Sequence, residues 1–322
     1  MNIVVTGASG VVGRELIAWL SRPNKKQQPT HQVLAVLRHP DANLALQCQT
    51  LLIPDLSSRA ACETIAAHAK DNGVLIHLAA LTPGARHTAD DFQRINALAT
   101  GLLARAAVDA GVSRLVYMSS THASAALTPG HPIDEASPPG PNADPYGASK
   151  LAGEAEVKRI MQGSRTQWTI VRAPLVYGPG VKGSLALLTR AIVRGVPLPL
   201  ARVSGNARDM IGLRNLAAFL EMCATHERAA NETFVVRDGD AVSTRGLTGE
   251  IAAAAGRNAR LVPVPPALLT LAARALGARA MAARLTGDHQ VNDTKARQLL
   301  GWTAPYPRTF DLQRMVTAAA QK

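Results

Sequence analysis

Tyr146 and Lys150 stand four residues apart in Tyr-Gly-Ala-Ser-Lys, which puts a phenol and an ammonium on one face of a helix. Such a pair has an acid–base use. A phenol with its ordinary pKa of ~10 is a poor base at neutral pH, and a neighbouring cation favours its anion. Tyr146, its pKa lowered by Lys150, is expected to exchange a proton with a substrate hydroxyl or carbonyl while a hydride moves. Upstream, Ser119-Ser120-Thr121 closes an apolar run, where a hydroxyl can hydrogen-bond the reacting oxygen.

A second set of residues binds rather than reacts. Gly7-Ala8-Ser9-Gly10-Val11-Val12-Gly13 joins a β-branched run to a helical one with the spacing G-x-x-G-x-x-G. Glycines there let backbone N–H groups approach a pyrophosphate, and the helix N-terminus turns its free donors toward the anion. The next β-rich run ends in Arg38, with no acid before Asp41. An acid at that tip accepts from a ribose 2′-hydroxyl, whereas an arginine accommodates a 2′-phosphate, so NADP(H) is favoured. NAD(H) stays possible if Arg38 lies against adenine. Asp55-Leu56 follows the third run, where the carboxylate can hold the adenine amino group or begin a helix.

These groups need elements to hold them. Strands are expected at 2–6, 33–37, 50–53, 74–78, 114–118 and 168–172. Helices are expected at 11–20, 58–69, 90–110 and 148–161 between them. That alternation means an α/β fold: a Rossmann-type, doubly wound parallel sheet. After Arg172 the rhythm breaks into a Gly/Pro segment, a helix at 184–194, another at 213–223 and a strand at 233–237. A smaller, mostly helical C-terminal substrate lobe follows. Residues 1–172 plus about 208–238 are assigned to the dinucleotide domain, and about 173–207 plus 239–322 to the lobe.

The chain has 322 residues, of which 47 % are apolar and 3 % aromatic, so its core rests on Ala, Leu, Val and Ile. That composition excludes a chain disordered throughout. The formal charge of +12 favours anionic partners. The arginines are scattered, with no basic run and no interleaved aromatics, which argues against nucleic acid. Three cysteines without a CxxC pair argue against a disulfide framework and structural zinc, and no His/Asp/Glu group has metal-ligand spacing. The N-terminus lacks a basic leader, and the most apolar stretch, 262–285, is cut by prolines and arginines. A soluble cytoplasmic protein, not membrane-bound, is expected. His77 reads as a core residue on a buried strand, and His122 as a residue that can face substrate.

The glycine loop, His-Leu-Ala-Ala at 77–80, Asn96, Ser-Ser-Thr at 119–121, Tyr-Gly-Ala-Ser-Lys and Arg-Ala-Pro-Leu-Val-Tyr-Gly-Pro-Gly at 172–180 resemble the extended short-chain dehydrogenase/reductase family. Asn-Ala-Arg-Asp-Met-Ile at 206–211 and Lys-Ala-Arg-Gln-Leu-Leu-Gly-Trp at 295–302 continue the likeness, so it covers nearly the whole chain. Within that family the chain is most similar to nucleotide-sugar 4-epimerases and 4-reductases. The resemblance implies roles at matching positions. Gly7, Gly10 and Gly13 would hold the pyrophosphate, and Ala79, Ala80, Leu81 and Asn96 would border the dinucleotide. Pro174 and Val176 would line its nicotinamide side. Tyr146 would be the acid/base, Lys150 would bind the nicotinamide ribose, and Ser120, with Thr121 as the alternative, would orient the substrate oxygen. Arg208 would meet the substrate's phosphates. Apart from the resemblance, Thr82 opens a loop at 82–87 over the expected cleft, whose polar groups either read a sugar or form a plain surface loop. A homodimer through the helices 90–110 and 148–161 is implied as well. Leu175, where epimerases commonly carry Asn, departs from the pattern. A carbonyl reductase of a small flavonoid- or steroid-like ketone is the competing enzyme, and a dinucleotide-sensing binding protein the competing class.

Overall fold

A computed structural model describes residues 1–23, 30–83, 87–128, 130–140, 144–275 and 279–321. Strand β1 (Asn2–Thr6) and helix α1 (Val11–Leu20) begin where the β-branched run and the glycine loop place them. The remaining strands of the large sheet are β2 (Gln32–Leu37), β3 (Gln49–Leu52), β4 (Val74–His77), β5 (Arg114–Ser120), β6 (Gln167–Ala173) and, later, β9 (Glu232–Val235). Their order is β3-β2-β1-β4-β5-β6-β9, and every pairing is parallel. This is the expected Rossmann-like sheet, and the order reverses between β1 and β4. A crevice forms there at the C-terminal strand ends, which is where ligands bind in such sheets. A parallel pair, β7 (Leu175–Tyr177) with β8 (Met210–Gly212), lies outside the large sheet.

Burial explains the sheet's composition. Ile3, Val5, Ile76, Val116 and Val171 face a core closed by Leu16, Ile17 and Leu20 of α1 and by Phe219 and Leu220 of the helix Leu213–Thr225. Val4, Leu34, Leu75, Leu115 and Ile170 face a second core, closed by Cys62, Ile65, Leu103 and Val157. Helices therefore cover both faces, as uninterrupted apolar strands require. A separate cluster of Tyr177, Leu185, Ile192, Met210, Leu247, Ile251 and Leu312 forms a third core. Ala296, Leu300 and Trp302 pack into the first sheet core, so this late part of the chain buries its apolar side on the sheet.

The expected helix at 90–110 is three pieces in one run: Ala89–Phe92, a π-helical segment Gln93–Leu98 and α-helix Ala99–Asp109. The expected helix at 148–161 starts earlier, at Pro145, because Asp144 caps it. The Asp144 carboxylate accepts from the Gly147 N–H at 2.7 Å, and proline fits the first helical turn. This start places Tyr146 in the first turn, beside the end of β5.

Candidate active site

The glycine loop is shaped by close approaches that a side chain would block. Gly7 has φ +70°, and a Cβ there would stand 2.6 Å from the Ala79 nitrogen. A Cβ on Gly13 would collide with the Gly7 carbonyl oxygen. Gly10, the N-cap of α1, has no side chain to occupy the first-turn donors. The loop thus leaves backbone N–H groups for an anion, and its residues fit a dinucleotide pyrophosphate.

A cavity of about 580 Å³ opens beside this loop. Gly7, Gly10, Val11, Val12, Gly13, Ala80, Thr82, Ser120, Tyr146, Lys150, Pro174, Val176 and Arg208 all line it, so one cleft gathers most of the expected site. Lys182, His122, Arg284 and His289 line it too. Lys182 follows the Tyr-Gly-Pro-Gly turn and could have been found from that motif. Arg284 sits in a helical stretch without any local signal.

Lys150 is 2 % exposed, and its Nζ lies 4.3 Å from the centre of the Tyr117 ring. Burial pushes the Lys150 pKa down to about 7, against the pull of Glu154 one turn further on. Tyr146 behaves opposite to expectation. Burial raises its pKa to about 12, which the Ser120 hydroxyl only partly opposes. The lowering by Lys150 expected from sequence is absent because the cleft desolvates both groups. A pH dependence of stability follows. The folded state holds Lys150 at about 7 while the unfolded chain keeps ~10.4, so the unfolded chain binds more protons between those values. The Lys150 contribution to stability rises as pH increases from about 7 toward ~10 and is flat below 7. Urea midpoints of wild type and Lys150→Met, compared at pH 6.5 and 9.5, are expected to converge at the higher pH. A constant gap would show that Lys150 keeps an ordinary pKa in the fold.

Beneath the site, hydrogen bonds fix the geometry. Ser119 donates to Glu154 Oε1 at 2.5 Å, and Arg172 donates to the same carboxylate from Nε at 2.9 Å and Nη2 at 2.7 Å. Strands β5 and β6 are thereby tied to the helix that carries Tyr146 and Lys150. His77 is a buried core residue, as read from sequence. Its Nδ1 meets Thr6 Oγ1 at 2.7 Å and its Nε2 meets Thr100 Oγ1 at 3.1 Å. Burial pushes its pKa down to about 3, so it is neutral. Thr6 Oγ1 also accepts from the Ala79 N–H, and Thr100 donates to the Asn96 carbonyl.

Several expected contacts lie elsewhere. Asn96 is fully buried. Its Oδ1 accepts from Leu81 N at 2.8 Å, and its Nδ2 donates to Leu81 O and to Ser149 Oγ, both at 3.0 Å. Its polar atoms are committed, so it positions the Leu81 backbone instead of touching a ligand. Thr121 is fully buried and its hydroxyl pairs with His289 Nε2 at 2.8 Å, so Ser120 is the hydroxyl that faces the cleft. Ala8 is fully buried, and Ala80 lines the cavity whereas Ala79 and Leu81 do not. Ser9, Arg38 and Asp55 are exposed, and Asp55 accepts from Ser57 N at 2.9 Å. Leu56 is half-buried beside them. Arg14 pairs with Asp41, beyond the end of β2, and donates from Nε to Ser9 O at 3.1 Å. Arg208 donates to the carbonyls of Arg284 and Gly287 at the end of the helix Arg279–Thr286. Of the loop at 82–87, residues 84–86 lie outside the described residues, and Thr82 and Pro83 line the cavity.

Among the described residues, no group of three or more His, Cys, Asp or Glu could hold a metal ion. No helix there is long and apolar enough to cross a membrane.

A parallel sheet of this order with a glycine loop and Ser120, Tyr146 and Lys150 around one cleft defines a class. The chain belongs to the NAD dependent epimerase/dehydratase family, whose model matches residues 3–236. It is 30 % identical to UDP-glucose 4-epimerase of Vibrio cholerae over 94 % of this chain and 91 % of that protein. It is 29 % identical, over 100 % of this chain and 98 % of the other, to a 4-hydroxy-2-methyl-3-oxo-4-farnesyl-3,4-dihydroquinoline-1-oxide ketoreductase of Stigmatella aurantiaca. The crystal structure of UDP-glucose 4-epimerase from Thermotoga maritima with UDP-glucose matches with a TM-score of 0.78 at 19 % identity, covering 100 % of this chain and 99 % of that one.

Proposed function

We propose that the chain is an NAD(P)-dependent oxidoreductase or epimerase acting on a hydroxyl or keto carbon, C4 foremost, of a nucleotide-linked sugar. One observation carries the reading: a single cavity holds both Ser120, Tyr146 and Lys150 and three cations, Lys182, Arg208 and Arg284. Arginine forks and an ammonium suit a diphosphate. In this reading the sheet domain (1–172 and about 208–238) binds the dinucleotide and the lobe binds the sugar nucleotide. The backbone from Gly7 to Gly13 would hold the pyrophosphate, Arg38 and Asp55 the adenosine end, and Lys150, Pro174 and Val176 the nicotinamide end. When bound, the dinucleotide supplies the hydride donor or acceptor. Tyr146, a neutral phenol at pH 7, donates its proton to a keto oxygen or takes one back, and Ser120 holds that oxygen in place.

Calorimetry with UDP and UDP-glucose tests the substrate class. Micromolar binding of both supports the reading. No binding of either, together with NADPH-driven reduction of a ketone, would replace it with the second. That second reading, a ketone reductase, has its own support in Leu175, Val181, Leu185, Leu188, Leu247 and Leu285, which line the same cavity.

Arg38 favours NADP(H) over NAD(H), by about 10-fold in kcat/KM, or ~1.4 kcal/mol. Arg38→Asp is expected to reverse the preference, because the new carboxylate repels a 2′-phosphate and accepts from a free hydroxyl. Equal use of both cofactors by wild type and variant alike would remove Arg38 from the ribose edge. A homodimer through the helices Ala99–Asp109 and Pro145–Met161 fits Leu98, a large apolar side chain 63 % exposed at the start of that face. Light scattering at micromolar concentration is expected to give the mass of two chains for wild type and of one for Leu98→Asp. A monomeric wild type would end that part of the reading.

A further inference from the structure

We propose that His122 is a second acid–base residue of the cleft, exchanging through Nε2 the proton on a substrate carbon adjacent to the carbonyl carbon that Tyr146 serves. The inference rests on the reading of Tyr146 as the group that meets that carbonyl. His122 lines the cavity with its side chain 23 % exposed, and its Nδ1 lies 2.9 Å from Asp144 Oδ2. Asp144 is itself held, because its other oxygen caps the catalytic helix at the Gly147 N–H. Burial opposes charge on this carboxyl, yet the bonds from His122 and Gly147 outweigh it and hold the pKa below the ordinary value. An imidazole oriented by a carboxylate at Nδ1 presents Nε2 as a base.

The position of the ring gives this base a task. The His122 ring centre lies 5.8 Å from that of Tyr146, and the His122 N–H donates to Ser120 Oγ at 3.2 Å. Ser120 and Tyr146 together account for the oxygen of a reacting carbonyl, and neither they nor hydride chemistry needs an imidazole beside them. A base one ring-width away is placed for the neighbouring carbon. A carbonyl makes that C–H acidic. When the bond breaks, the proton passes to His122 Nε2 and the electron pair forms the enol double bond. The carbonyl electrons move to the oxygen, which takes a proton from Tyr146 or its hydrogen bond. Return of the proton to either face restores the ketone, with no net oxidation. His289, 6.1 Å from His122, cannot compete as the base: it is buried, its Nε2 pairs with Thr121, and desolvation together with the Arg208 charge pushes its pKa down to about 3.

The test is hydrogen exchange on a ketone supplied ready-made, so that no cofactor turnover is needed. The enzyme with NAD(P)⁺ is incubated in D2O with UDP-4-keto-6-deoxyglucose, and separately with cyclohexanone, and loss of the proton signals beside the carbonyl is followed by NMR. Wild type is expected to accelerate exchange on at least one of them by 100-fold or more over buffer. His122→Asn and His122→Gln should lose at least 100-fold of that acceleration, and Asp144→Asn, which can still cap the helix, at least 10-fold. Failure of the nucleotide-sugar reading appears differently, as exchange confined to cyclohexanone with no UDP binding, and that outcome still supports His122. Wild type that exchanges neither ketone overturns the proposal. So does undiminished exchange in folded His122→Asn or His122→Gln, in which case the His122–Asp144 bond merely ties the strand end to the helix.

Discussion

Tyr146→Phe is expected to lower turnover by 10²- to 10⁴-fold, the usual range for a positioned acid–base group. Only the phenolic oxygen is lost. The ring still packs against Phe92 and His122, at centroid distances of 5.9 and 5.8 Å, so the cleft keeps its shape. Dinucleotide affinity should therefore stay within about threefold of wild type, since one ribose contact at most is disturbed. UDP-glucose/UDP-galactose interconversion and NADPH-linked ketone reduction are both suitable assays. Residual activity above about a tenth of wild type, a barrier change under ~1.4 kcal/mol, would mean that another group moves the proton. The pH profile adds a second check. With the Tyr146 pKa raised to about 12, the phenol is protonated at neutral pH, so the free enzyme is poised to donate to a carbonyl.

The second large effect concerns stability. Glu154→Ala should cost about 3–5 kcal/mol, the range for breaking a buried ion pair on one side. Arg172 is 5 % exposed, and without Glu154 its remaining partners are Ser124 Oγ at 3.0 Å and the Glu135 carbonyl at 3.3 Å. Ser119 loses its acceptor at the same time. The double change Glu154→Met with Arg172→Met should recover most of the loss, because an apolar pair of similar volume leaves no buried charge. Urea unfolding of the three proteins measures this. A single-variant loss below about 1 kcal/mol would show that water reaches Arg172 and that the pair is not a structural tie.

Much of the frame is legible in local pattern. The span of β1 and that of α1 match the expectation residue for residue, because a β-branched run, a glycine loop and a 3.6-residue apolar period leave little freedom. The lining of the candidate cleft is legible wherever a motif has a backbone reason, as in the glycine loop and Tyr146 to Lys150. Other features depend on three-dimensional company. Ser120 and Thr121 cannot be told apart in sequence, because which hydroxyl faces the cleft depends on His289, 168 residues away. The π-helical segment Gln93–Leu98 adds no marked residue type; the demands on the Asn96 carbonyl come from Thr100 and from Tyr117 on β5. The direction of the Tyr146 shift is hidden from the sequence for a similar reason. Charge proximity is visible in a motif, whereas desolvation is set by residues distant in sequence, such as Phe92 and His122, that pack around the phenol.

The polar chain behind Ala79 runs in one direction only. Thr100 donates its one proton to the Asn96 carbonyl, so it accepts from His77 Nε2–H; the neutral ring then leaves Nδ1 to accept from the Thr6 hydroxyl, whose oxygen also accepts from the Ala79 amide. Valine at either threonine position would orphan a ring nitrogen in a place water does not reach. Substitutions at Thr6, His77 and Thr100 should therefore be inherited together or not at all. Among homologous sequences, these three positions, scattered over nearly a hundred residues of chain, should vary as one unit.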